Sequence, residues 1–322
     1  MFPERRLRRL RKSEGMRRLV RETHVTADDL VCPVFVGEGL DVPKTVGSMS
    51  GIRRIPPEMV AEEISGIWKM GIPAVMLFGI PESKDVAGSS SYDEEGVIQD
   101  AIREARRASP EMVIMADVCM CQYTSTGHCG IVREGVVDND PTILSLGKIA
   151  ASYARAGVDV VSPSAMMDGQ VATIRSSLDE AGFSDVAIMS HAAKHYSTMY
   201  SPFRDVADCT PQFGDRRGYQ MPYTNPREAM AEVESDISEG ADIVMIKPAM
   251  AYLDLVAEAR RRFGVPVAAY SVLGEYAMVH AANSMGWLDG PRIILEVLSS
   301  IKRAGADVIV TYFAKDAAGL LS

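Results

Sequence analysis

Three of the chain's five cysteines, Cys119, Cys121 and Cys129, fall within eleven residues of each other in the stretch ADVCMCQYTSTGHCG. On an extended chain, residues at i and i+2 point the same way, and a third cysteine flanked by glycine can fold back onto the first two. This pattern suits a Zn²⁺ held by three thiolates with an open fourth position, the form of a catalytic rather than a closed structural site. His128 is also a ligand type, but it adjoins Cys129 and its ring is expected to point elsewhere. Three thiolates leave the ion with a net charge of about −1, a weak Lewis acid better at holding an amine or carbonyl than at making hydroxide. Three buried free thiols are the alternative.

Two lysines suggest a second chemistry. Lys247 lies in the apolar run MIKP, and a lysine inside a buried strand needs a partner or a depressed pKa. Lys194, in SHAAKHYS, reads equally as a loop cation. If the two stand on adjacent strand ends, repulsion and desolvation both favour the neutral amine that Schiff-base chemistry requires. A long segment then carries Phe203-Arg204-Asp205 and Asp215-Arg216-Arg217-Gly218-Tyr219-Gln220. Guanidinium forks there bind carboxylates in bidentate fashion, or else form surface ion pairs. Tyr312 offers a phenol near the C-terminus, with plain packing as its alternative.

These residues need a scaffold that gathers them. The phrases AGVDVVSPS from Ala156, EGADIVMIKP from Glu239 and AGADVIVTYF from Ala304 repeat one pattern, and KMGIPAVMLFG from Lys69 is a looser copy. In each, a helical stretch ends at glycine and a short apolar run follows, which reads as a strand buried on both faces. Eight such runs occur: Val31–Val36, Ala74–Gly79, Val113–Cys119, Val160–Ser164, Ala187–Ser190, Val244–Pro248, Val267–Val272 and Val308–Phe313. Amphipathic segments lie near 57–70, 94–108, 141–156, 169–181, 226–239, 251–263 and 290–304. Eight alternating units predict a single (β/α)8 TIM barrel over 29–322, preceded by an arm over 1–28. A doubly wound sheet is the alternative, weakened by the lack of GxGxxG after the first strand. The long connections 120–140 and 192–225 leave the C-terminal strand ends, where barrels place their chemistry.

Composition bounds the rest. The chain has 322 residues, 47% hydrophobic and 24% charged, which excludes a disordered protein. No apolar run is long enough for a spanning helix, and no apolar leader is visible, so no membrane partner is expected. An odd cysteine count without a secretion signal argues for a reducing, cytoplasmic setting. Residues 1–22 hold nine Lys/Arg against three Glu, a net of +6, which leaves −15 on the rest of a chain whose total is −9. Without interleaved aromatics or a second basic patch, this arm is expected to dock on an acidic protein surface rather than bind nucleic acid.

Taken together, ADVCMCQYTSTGHCG, SPFRD, FGDRRGYQMP, EGADIVMIKPAMAYLD, LGEYAM and AGADVIVTYF resemble the porphobilinogen synthase (5-aminolevulinate dehydratase) family over nearly the whole length, in its zinc-dependent branch. The resemblance implies a (β/α)8 hydro-lyase that condenses two molecules of 5-aminolevulinate to porphobilinogen in tetrapyrrole (heme) biosynthesis. It implies Schiff bases on Lys194 and Lys247, with Lys247 binding the first, P-side, substrate. Zinc would be held by Cys119, Cys121 and Cys129, with Asp117 beside it. Arg204, Arg216 and Gln220 would hold the A-side carboxylate and Tyr312 the P-side one, with Ser164 and Phe203 also among the substrate-binding residues. Glu232 matches a position that binds allosteric Mg²⁺ in many bacterial members. The arm would wrap a neighbouring subunit, usually in a homo-octamer.

The chain departs from the family at Leu273 (serine in the family, a donor to the P-side carboxylate), and at Ala165, Gln170, Thr126 and His191. These departures motivate a second hypothesis, a non-catalytic descendant that binds zinc or substrate without turnover. A class I aldolase is a weaker third reading, because it has no need of three thiolates.

Overall fold

The computed structural model describes residues 4–45 and 51–321. Residues 1–3 of the expected arm, and 46–50 and 322 of the expected barrel, lie outside the described residues. Eight parallel strands form the framework: β1 (Leu30–Gly37), β2 (Ala74–Ile80), β3 (Val113–Val118), β4 (Val160–Pro163), β5 (Ala187–Lys194), β6 (Ile243–Lys247), β7 (Val267–Ser271) and β8 (Val308–Thr311). Each pairs with its sequence neighbour, and β8 returns to β1 through Leu30 opposite Ile309 and Val31 opposite Val310. The expected (β/α)8 barrel is therefore closed. Closure leaves no edge and buries both faces, which is why the strands read as continuous apolar runs; all seven residues of β2 are buried.

Around the barrel lie α1 (Val60–Lys69), α2 (Val97–Ala108), α3 (Asn139–Ala156), α4 (Gln170–Glu180), α5 (Pro226–Ser238), α6 (Leu253–Arg262), α7 (Leu273–Ser284), α8 (Gly290–Ala304) and α9 (Ala314–Leu321). The repeated glycine works as expected at Gly157, which ends α3 in the left-handed conformation at φ 101° and turns the chain into β4. Helices α7 and α9 are additions to the sequence reading. The stretch that forms α7 mixes small and apolar residues without a clear apolar stripe, and its start is fixed instead by the Glu275 carboxylate, which accepts from Val272 N at 2.8 Å.

The strand limits also shift. Runs expected to end at Cys119, Ser164, Pro248, Val272 and Phe313 stop one or two residues earlier, where the backbone leaves the ladder. Conversely, β5 runs four residues past Ser190, because its His191–Lys194 stretch continues pairing with β6 across a register shift between Val244 and Ile246. The arm contains a short turn of helix at Leu7–Arg11 and a helix at Glu14–Leu19, neither with a buried residue. Leu7, Leu10 and Leu19 are exposed.

Candidate active site

Parallel strands deliver their C-terminal ends to one rim, and the candidate residues gather there. Cys119 and Cys121 follow β3 directly. They are not on extended chain as expected: Met120 O accepts from both Tyr123 N and Thr124 N at 2.9 Å, so the chain turns at once. The turn still brings the two sulfurs to 3.5 Å. Cys129 returns because Thr124 Oγ1 donates to His128 O at 2.8 Å and Gly127 packs against the loop after β5. At φ +70°, a β-carbon on Gly127 would stand 2.3 Å from Thr210 O, so only glycine fits this approach. All three cysteines are buried, and their sulfurs lie within 4.8 Å of one another. A tetrahedral ion with bonds of about 2.3 Å sets sulfurs roughly 3.8 Å apart, so the trio fits one. Both ring nitrogens of His128 are engaged elsewhere, with Tyr219 Oη and Phe213 O at 3.0 Å each.

One sulfur of the trio, Cys129, is poised to be anionic. Hydrogen bonds from Cys119 and then Cys121 hold the Cys129 thiol well below its ordinary range, and the Arg216 guanidinium adds to this against the effect of burial. Cys119, against its hydrogen bond with Cys121, is pushed up to about 12 by its hydrogen bond with Cys129 and by burial, and hydrogen bonds with Cys119 and Cys129 raise Cys121 well above its ordinary range. Cys209, which carries no local motif, is buried against this cluster and hydrogen-bonds with Cys121. It belongs to the loop after β5, eighty-eight residues on from Cys121, so only the packing of the two loops reveals it.

Lys194 and Lys247 stand directly opposite each other in the β5–β6 ladder. Lys194 is thus a strand residue, not a loop cation; it is buried and donates to Ser164 O. Lys247 is 4% exposed and lies among aromatic rings, its Nζ 3.9 Å from the Tyr270 centroid, 5.4 Å from Phe203 and 5.8 Å from Tyr200. Burial first, and the charge of Lys194 second, push its ammonium down to about 7. The segment after Lys247 is pinned by Glu275, whose Oε1 accepts from Ala249 N at 3.1 Å and Met250 N at 2.6 Å. Asp117, on β3, is buried, and desolvation raises its pKa despite the opposing pull of Lys194 and Lys247. Its Oδ2 accepts from Gln122 Nε2 at 3.3 Å.

The residues expected to bind carboxylates carry unused hydrogen-bonding capacity. Arg216 is buried; its Nη2 donates to Gly127 O at 2.9 Å and Cys209 O at 2.6 Å and its guanidinium also hydrogen-bonds the Cys209 thiol, while its Nε has no partner. Arg204 Nε and both amide atoms of Gln220 are likewise buried and unpartnered. Native folds rarely leave such groups unsatisfied, so the cluster has the character of a receptor for an anion. Arg217 follows the alternative reading: it is exposed and pairs with Asp215 at 3.4 Å. Tyr312 lies just beyond β8, its Oη 3.0 Å from Tyr270 Oη and its ring stacked on Phe35 at 6.1 Å. Phe203 packs between Phe35 and Phe78 and faces Lys247.

Glu232 lies elsewhere. It is half-buried on α5 in a cleft with Asp168 and Glu228, and burial followed by these neighbouring carboxylates raises its pKa. Tyr270, in contact with Lys247 and Tyr312, is a further candidate that the sequence expectations do not include. It is the only large polar side chain of β7, and its signal was an aromatic hydroxyl inside an otherwise small, apolar strand.

Comparison with known proteins agrees with this geometry. The family model of delta-aminolevulinic acid dehydratase matches residues 4–320. The delta-aminolevulinic acid dehydratase of Synechococcus elongatus is 51% identical over the whole of both chains, and that of Bacillus subtilis is 47% identical over 98% of this chain and 97% of its own. A crystal structure of the Toxoplasma gondii enzyme (porphobilinogen synthase), in complex with the reaction product porphobilinogen, superposes with a TM-score of 0.96 at 41% identity, covering 98% of this chain and 91% of that one. With its barrel, its paired lysines and this likeness from end to end, the chain belongs to the delta-aminolevulinic acid dehydratase family.

Proposed function

We propose that this chain is a catalytically active porphobilinogen synthase, which condenses two molecules of 5-aminolevulinate with loss of water in tetrapyrrole (heme) biosynthesis. The observation that carries the reading is the pairing of Lys194 and Lys247 on adjoining strand ends, one of them depressed to about 7. A non-catalytic descendant would have no use for an amine held in that state. The neutral Nζ of Lys247 attacks the ketone carbon of the first substrate. The carbonyl oxygen leaves as water, and a C=N bond ties the substrate to the lysine. Lys194 forms the corresponding imine with the second substrate, and both lysines are regenerated when product leaves.

Tyr312, with Tyr270 behind it, receives the carboxylate of the P-side molecule. The unpartnered donors of Arg204, Arg216 and Gln220 receive that of the A-side molecule. Fixing both substrates turns a slow bimolecular encounter into a positioned reaction. Asp117, buried beside both lysines, accepts and returns the protons that imine formation moves. Ser164 orients the Lys194 amine through its carbonyl, and Phe203 closes the aromatic wall around Lys247. Cys119, Cys121 and Cys129 hold Zn²⁺, which when bound supplies a Lewis acid for the amine or carbonyl of the second substrate. The loop after β3 excludes water.

The same reading assigns Glu232, with Asp168 and Glu228, to a regulatory Mg²⁺, and the basic arm to subunit contacts in a homo-octamer of the cytoplasm. Among the described residues, no helix is long and apolar enough to cross a membrane. The deciding experiment is porphobilinogen formation by the purified chain, with and without a zinc chelator, alongside borohydride trapping of 5-aminolevulinate on Lys247. Trapped imine without turnover would favour the non-catalytic descendant. Turnover indifferent to the chelator would remove the metal assignment.

A further inference from the structure

His191 stands in the barrel wall on β5, three residues before Lys194, and is fully buried. Neither of its ring nitrogens has a hydrogen-bond partner. A neutral imidazole carries one donor and one acceptor, and leaving such groups unpaired in a core is costly enough to demand a reason. One candidate partner is in view. His191 Nε2 lies 4.0 Å from Asp117 Oδ1, which is itself buried and unpartnered. The other oxygen of that carboxylate is already held by Gln122, so Asp117 is anchored at one end and open at the other. Desolvation, then the charges of Lys247 and Lys194, hold His191 well below its ordinary pKa. The imidazole is therefore neutral, and its Nε2–H tautomer sets a single donor toward Asp117 Oδ1.

We infer that His191 is the positioning residue for Asp117: in the substrate-loaded site its Nε2–H closes on Asp117 Oδ1 and fixes the carboxylate relative to Lys194 and Lys247. A closure of about 1 Å brings the pair into hydrogen-bond range, and hydrogen bonds of catalytic groups are commonly long before substrate arrives. The inference rests on the proposed function only in taking Asp117 to move protons for the two lysines. A residue that merely filled space would be replaced without loss by an apolar side chain, and the two cases separate experimentally.

The variants are H191L, which keeps bulk without a donor, and H191Q, whose amide N–H reaches toward the same oxygen. Four quantities are measured: kcat, KM, the thermal midpoint, and the 5-aminolevulinate imine trapped on Lys247 by borohydride. For H191L we expect kcat to fall roughly ten- to a hundred-fold, as for a lost hydrogen bond to a charged group. KM and trapped imine stay near parental values, and the thermal midpoint is unchanged or higher because two orphaned polar atoms are gone. H191Q recovers most of kcat. Parental kcat in H191L, or H191Q as slow as H191L, overturns the inference. If H191L does not fold, H191Q decides alone: kcat within about tenfold of the parent supports the inference and a larger loss overturns it. Absence of trapped imine in the parent protein would count against the reading of Lys247 instead, a failure distinct from either of these.

Discussion

Lys247 and Lys194 face each other on adjoining strands, about 4.8 Å apart along the ladder. Two ammonium groups roughly 6 Å apart at an effective dielectric of about 20 repel by about 3 kcal/mol, close to two pKa units at full charge. Burial is the larger cause of the low Lys247 pKa, so the share of Lys194 is set at about one to two units. Replacing Lys194 by Met removes a like charge. That favours the ammonium form of Lys247, and its pKa rises from about 7 toward roughly 8 to 9. The neutral fraction at pH 7 then falls from about one half to between about a tenth and a hundredth, a loss of roughly five- to fifty-fold.

The assay is competitive labelling of amines by an acylating reagent from about pH 5 to pH 10, resolved by peptide mass spectrometry, in the parent and in K194M. The expected result is a Lys247 titration with its midpoint near 7 in the parent, moved upward in the variant. A parental midpoint near that of an ordinary lysine would refute the desolvation argument. A midpoint that K194M leaves unmoved would refute the electrostatic coupling.

Further outcomes follow from the same geometry. K247A should abolish turnover and leave no imine at the P side; full activity by porphobilinogen assay would contradict the assignment. Replacing Cys119 and Cys121 by Ala should remove the metal and most activity while the barrel still melts cooperatively, and stoichiometric zinc by elemental analysis would count against it. Deleting residues 1–22, whose leucines are exposed, should shrink the assembly without unfolding the barrel, as light scattering would report. L273S should lower KM roughly ten- to a hundred-fold by restoring a hydroxyl for the P-side carboxylate. Because Leu273 is fully buried, that gain should come with a stability loss of about 2–4 kcal/mol, read from a denaturant melt alongside the kinetics.

The sequence by itself determined what local pattern can encode. Eight apolar runs alternating with amphipathic stretches specified a barrel, since strands buried on both faces must be continuously apolar. The cysteine spacing specified a thiol site, and Lys247 stood out as a charge inside such a run. What only the tertiary structure decided depends on segments far apart in the chain. Lys194 became a strand residue because β6 continues to pair with it, although His191-Ala192-Ala193 carries no strand-like pattern of its own. Cys119 and Cys121 meet through a turn, not along a strand, and Cys209 joins them because Gly127 lets one loop lie against another. Helix α7 starts where Glu275 satisfies backbone groups from two segments, a long-range hydrogen-bond pattern with no local periodicity. His191 and Asp117 come from β5 and β3, and only closure of the barrel sets their unpaired atoms face to face.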